Sequence, residues 1–174
     1  GLIFLSQVTV SAQEFVVPVI GENAPLSSSE KPQERSLIEL ADESLAAGLS
    51  TTALKFYTEV YNNKEIGSSE KERAALGIAT AQIERGRIAE AKSALENIND
   101  SPRKFLLGGI VAILEGDLKL AQSLSDKVDP EKLPVHEVAW IHVLRGLIHE
   151  SLGDTSASNL AFSTAIKLAT SEEH

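Results

Sequence analysis

Three of the four histidines, His136, His142 and His149, crowd one short stretch, and His142, Arg145 and His149 recur at intervals of three and four. On a helix that spacing puts them on one face, where imidazoles could hold a metal ion. Arg145 stands between them, and its fixed positive charge repels a cation. His136-Glu137 opens like the helical zinc-protease motif, but Trp140 occupies the position where the second histidine is needed. These histidines therefore read as structural or surface residues, and no metal site is expected. The serine runs SSSE and SSEKE lack a base to activate a hydroxyl and read as linker and helix caps. The glycines are dispersed, whereas a phosphate-binding loop needs them grouped. With no cysteine, disulfides, thiolate metal sites and a cysteine nucleophile are all excluded. Neither a catalytic site nor a cofactor site is expected.

The elements that position these residues follow from composition and period. A chain of 174 residues, 43% hydrophobic and 24% charged, can bury one core or a short array of repeats. Its net charge of -9 argues against nucleic acid, because neutralising phosphates takes clustered Lys and Arg. Aromatics make up 5%, and Ala, Leu, Glu and Lys are abundant, so propensity leans to helix.

The start differs from the rest. LIFLSQVTV is apolar, too short to span a bilayer as a helix, and leads into Val10-Ser11-Ala12, a small-residue cleavage pattern. Residues 1 to 12 are read as the remnant of a secretory signal, with Gln13 as the first mature residue and an exported, periplasmic location. The competing reading makes Ile3 to Val10 and Phe15 to Ile20 β-prone segments that pack on the body. Residues 13 to 33 are read as a flexible linker or arm, rich in Gly, Pro and Ser towards its end. FVVPVI within it is read as a free terminus ahead of a plug or a strand-like arm for a partner.

From residue 34 to 170 the pattern is helical. Leu37, Leu40, Ala41 and Leu45 form the first stripe, and Gly48 stops it. Ser50 or Thr51 is the expected cap of the second helix, and Ser69 with Glu72 an expected capping box for the third. Ser101-Pro102 and Asp117 mark two later starts, and a long helix is expected from Pro134 to Leu152.

Eight such helices fall into four pairs when aligned on Gly48, Gly86, Gly116 and Gly153, at intervals of 38, 30 and 37 residues. Seven residues before each glycine stand Ala41, Ala79, Gly109 and Gly146; five after stand Ala53, Ala91, Ala121 and Ser158. Small residues recur where helices must approach. Nine after come Tyr57, Leu95, Ser125 and Phe162, and twelve after come Val60, Ile98, Val128 and Ala165, which fill most of the remaining space.

Leu152-Gly153-Asp154 with Ser158, Phe162 and Ala165, and Gly86-Arg87 with Ala91, Leu95 and Ile98, resemble the tetratricopeptide repeat, whose period is about 34 residues. The characteristic Trp and closing Pro are not regularly placed. The resemblance implies a right-handed α-solenoid of four divergent helix pairs. It also implies a protein-interaction scaffold whose first helices line a concave groove, and with the leader-like start the reading is a scaffold in an exported bacterial assembly.

Offsets from the glycines place residues in that groove. Thirteen before lie Arg35, Arg73, Arg103 and Trp140; ten before, Ile38, Leu76, Leu106 and Val143; six before, Asp42, Thr80, Ile110 and Leu147. Three before lie Leu45, Ile83, Ile113 and Glu150. An apolar floor edged by three arginines suits a protein or peptide segment with aliphatic anchors and some carboxylates. The clamp that some family members use for an acidic chain terminus needs Lys and Asn, where this chain has Ile, Leu and Thr. The alternative makes the aliphatics core between repeats, the arginines a solvated edge and Trp140 core filler.

The last helix carries Leu160, Phe162, Ile166 and Leu168 on more than one side, so either more chain covers it or it self-associates. A second functional class therefore stays open, the N-terminal regulatory or targeting region of a larger enzyme. No membrane span is expected in the mature chain.

Overall fold

The computed structural model describes residues 36 to 171; the expectations for residues 1 to 12, for 13 to 33 and for Arg35 lie outside them. Among the described residues the regular elements are all helical. They are α1 (Leu37–Ala46), α2 (Ser50–Asn62), α3 (Ser68–Glu84), α4 (Ile88–Glu96), α5 (Pro102–Glu115), α6 (Leu118–Asp126), α7 (Val135–Ser151) and α8 (Thr155–Ser171). A 3₁₀ turn at Pro130–Lys132 joins α6 to α7. This is the all-α class that the apolar spacing predicts. No described helix is long and apolar enough to cross a membrane.

Two of the expected starts hold. Ser101 accepts from the Lys104 N–H with Pro102 in the first turn, and Asp117 accepts from the Leu120 N–H. Two lie one or two residues earlier than expected. α3 begins at Ser68 with Gly67 as its cap, so Ser69 lies inside the first turn and makes no capping box. Starting there brings Glu70 into the first turn, beside the positive end of the helix dipole. At α2 the cap is Leu49, without a side-chain bond, and Ser50 is already helical; its hydroxyl donates instead to Glu84 of α3. A capping box does form at α1, where Ser36 and Glu39 each satisfy the other's backbone N–H.

The four aligned glycines share one turn. Gly48, Gly86, Gly116 and Gly153 have φ of 73°, 70°, 82° and 79°, a left-handed conformation that a Cβ disfavours. At each, the glycine N–H bonds the carbonyl three residues back, and the next N–H bonds five back, as in Gly48 to Leu45 and Leu49 to Ser44. This double bond pattern closes the carbonyls of the last turn and reverses the chain in two or three residues, so the paired helices lie side by side.

Each helix packs on the next, and α1, α3, α5 and α7 also pack in succession on one another. The core forms three clusters. One joins Ile38, Ala41, Ala53, Tyr57 and Val60 to Ala74; the second spans Leu76, Ala79, Leu95 and Val111; the third spans Leu106, Ala121, Ile141 and Leu144. Each cluster therefore draws side chains from more than one pair.

Sizes are matched where one pair meets the next. Tyr57 of α2, nine residues after Gly48, lies on the backbone of α3 at Gly77, nine before Gly86; a Cβ there would sit 2.6 Å from ring atom Cε2. The same offsets give Leu95 with Leu107, in one cluster, and Ser125 with Leu144, both buried. At the first junction a large residue meets bare backbone, and at the second two leucines share a cluster. Within pairs the rule repeats: a Cβ on Gly146 would lie 2.6 Å from the Phe162 ring.

Candidate functional site

The first helices of the pairs, α1, α3, α5 and α7, carry the residues that the glycine offsets select, and the structure sorts them into three groups. Ile38, Leu76 and Leu106 are buried in the core clusters, at 4%, 5% and 3% exposure. Burying each side chain stabilises the fold by about 2 kcal/mol, and the packing leaves little of it for a partner. Thr80 is half-buried, and its hydroxyl donates to the Leu76 carbonyl at 3.0 Å. These four residues serve the array itself.

The arginines form the second group. Arg73 on α3 pairs with Asp42 on α1, and the other Asp42 oxygen accepts from the Tyr57 hydroxyl at 2.5 Å. Arg103 on α5 grips Glu137 on α7 with two contacts, Nε to Oε2 at 2.9 Å and Nη2 to Oε1 at 2.6 Å. Each described arginine of the row thus joins the first helices of neighbouring pairs. The Arg103 and Glu137 side chains are 33% and 14% exposed, whereas Arg73 and Asp42 are 51% and 35% exposed. Water screens the second pair more and its geometry is less forked. In double-mutant cycles we expect a coupling of about 1 to 2 kcal/mol for Arg103 with Glu137 and under about 1 kcal/mol for Arg73 with Asp42. Urea titration of the cycles decides it; equal couplings would sink the ranking.

The third group faces solvent. Trp140 is 55% exposed, and Val143 and Leu147, one and two turns along α7, are half-buried on its side of the helix. Ile110 on α5, which packs against α7, is half-buried too, and Leu114 one turn on is exposed. The corresponding positions on α1 and α3 are polar, with Asp42 and Thr80 where α5 and α7 have Ile110 and Leu147. At the offsets of Trp140 and Leu147 the apolar residues are therefore confined to α5 and α7.

Two grooves lie elsewhere, and none of the offset-selected residues lines them. One of about 360 Å³ runs between the end of α2, the start of α3 and the end of α4, lined by Tyr61, Lys71, Glu72, Asn97 and Asn99 over Ile98. The other, about 190 Å³ and apolar, is lined by Leu95, Val111, Leu120 and Leu124, with the Lys92 to Glu115 ion pair, N to O at 2.8 Å, among its walls. An exposed Leu120 on a second helix is the sequence signal for it, and the offsets, taken on first helices, pass it by.

His142 and Arg145 do lie close on α7. Burial first, and the Arg145 charge second, hold the His142 imidazole below its usual range, so it favours the neutral form. Arg145 reaches back to the Val128 carbonyl at 3.4 Å, and His149 stands 4.0 Å from Asp154. Among the described residues no three of His, Asp and Glu converge on a point that could hold a metal ion. Comparison with known proteins finds no matching family model and no matching curated sequence.

Proposed function

We propose that this chain is a protein-binding module, an array of four tetratricopeptide-like helix pairs that holds a partner segment on the face of α5 and α7. The reading of the array is supported by the succession of contacts, each helix on the next and first helix on first helix, and by the four matching glycine turns. The binding reading rests on one observation. A tryptophan left 55% exposed on the same side of α7 as half-buried Val143 and Leu147 is an apolar anchor without a cover.

The partner chemistry follows from what is free. Arg73 and Arg103 are engaged by Asp42 and Glu137, so carboxylate recognition drops out of the reading. What remains suits a short amphipathic helix or extended segment with aliphatic anchors.

The test uses Trp140 as its own probe, since it is the only tryptophan. Segments selected from a displayed peptide library against the intact chain should be rich in aliphatics and shift the tryptophan emission on binding. Trp140→Ala and Leu147→Ala should each weaken a selected segment by about 10-fold or more. Selected binders that leave the emission unchanged and ignore both substitutions would refute the assignment.

A further inference from the structure

The outer face of α8 differs from that of every other second helix. Leu160 and Ile166 on it are 71% and 64% exposed. Seven residues after the turn glycine, where α8 has Leu160, α2, α4 and α6 have Lys55, Ser93 and Ser123. In a chain of net charge -9, this 17-residue helix carries one charged residue, Lys167.

Seven of the ten exposed residues of α8 make a stripe that reads alike in both directions. Ser163 lies at its middle, Leu160 and Ile166 three residues to either side, Asn159 and Lys167 four, and Ser156 and Thr170 seven. At 100° per residue all seven fall within about 60° of Ser163. If two copies of the helix cross antiparallel at Ser163, Leu160 of one meets Ile166 of the other, twice. Lys167 then falls opposite Asn159, never opposite a second Lys167, and a small residue sits where the backbones come nearest.

We infer that α8 is a self-association surface, on which a second copy of this chain docks its own α8 about a two-fold axis through Ser163. Charge argues against the head-to-tail arrangement. On α1 the position nine before the glycine, which in α3, α5 and α7 is Gly77, Leu107 and Leu144, is the exposed Glu39, held in the capping box. Stacking α1 of one copy on α8 of another would bring that carboxylate to the place where Tyr57 meets Gly77. An isologous pair also closes on itself. This inference is independent of the face on α5 and α7.

One helix about 26 Å long offers a small interface, so the dimer is expected in the micromolar range or weaker. Sedimentation equilibrium of the full chain from about 5 µM to about 0.5 mM should show monomer passing to dimer. Leu160→Lys or Ile166→Glu alone should weaken the dimer by about tenfold or more, with helicity unchanged because both sites face solvent. Combining the two in one chain places the introduced lysine of each copy opposite the introduced glutamate of the other, and association should return in a salt-sensitive form. The chain has no cysteine, so Ser163→Cys should cross-link between copies with a short bismaleimide, and Ser93→Cys on α4 should not. A monomer throughout the range overturns the inference. So does a dimer indifferent to these substitutions, or one that the double substitution fails to restore.

Discussion

Gly77→Leu should be among the most damaging single changes in the chain, costing about 3 kcal/mol or more, and Tyr57→Ser in the same molecule should recover at least half of the loss. A Cβ alone at Gly77 would lie 2.6 Å from Cε2 of a ring that is 2% exposed, with its hydroxyl tied to Asp42, so the ring has nowhere to turn. Two effects oppose each other here. Replacing a mid-helix glycine gains about 1 kcal/mol of helix propensity, and forcing side-chain atoms into packed space costs more than that. The second wins while Tyr57 is present. Once serine replaces Tyr57, the leucine has the space that the ring filled, and propensity and burial act together. Urea unfolding of both single variants and the double variant gives the cycle; a double variant no more stable than Gly77→Leu would refute the matching of sizes.

Tyr57→Phe should cost about 1.5 kcal/mol at neutral pH and should flatten the loss of stability in alkali. The neutral cost lies at the low end for a hydrogen bond to a carboxylate because the Asp42 side chain is 35% exposed. Burial first, then the hydrogen bond to Asp42 and its negative charge, push the Tyr57 phenol well above its ordinary value of 10.0; Arg103 and Arg73 pull weakly the other way. Below pH 10 the phenol is neutral in both folded and unfolded chains, and its contribution is complete. Above it the unfolded chain releases the proton and the folded chain resists, so stability falls as pH rises. Phenylalanine has no proton to release. Stability curves for the two proteins should therefore converge above pH 10, and curves that stay parallel would rule out Tyr57 as the source.

The helices and their glycine turns were legible because their signals are local. A glycine that must turn left-handed, and Ala41, Ala79, Ala53 and Ala91 at fixed distances from it, are set by the geometry of one helix pair. Binding-face assignments were harder. The offset that selects half-buried Val143 also selects Ile38, Leu76 and Leu106, which the neighbouring helices cover, and burial by a neighbour is not written in the spacing along one helix. The partners of the arginines were out of reach for another reason. Arg73 lies 31 residues from Asp42, and Arg103 lies 34 from Glu137, and no local pattern records a pairing at that distance. The cap of α2 moved because the turn itself decided it. Once the Leu49 N–H is bound to Ser44, the next residue is already placed to begin a helix.

The unequal sizes at the junctions bear on how the chain avoids assembling wrongly. Four similar helix pairs invite skipping, in which the first pair docks on the third while the second is still unfolded. Tyr57 would then press on Leu107 where it needs the bare backbone of Gly77, and the misdocked state would carry an overpacked seam. Swapping of pairs between two molecules at high concentration meets the same obstacle unless the order is kept. An array built with one residue type at every junction would lack that safeguard and should refold with more trapped material. The fit of Tyr57 to Gly77 should thus mark the first junction during folding, in addition to filling space afterwards.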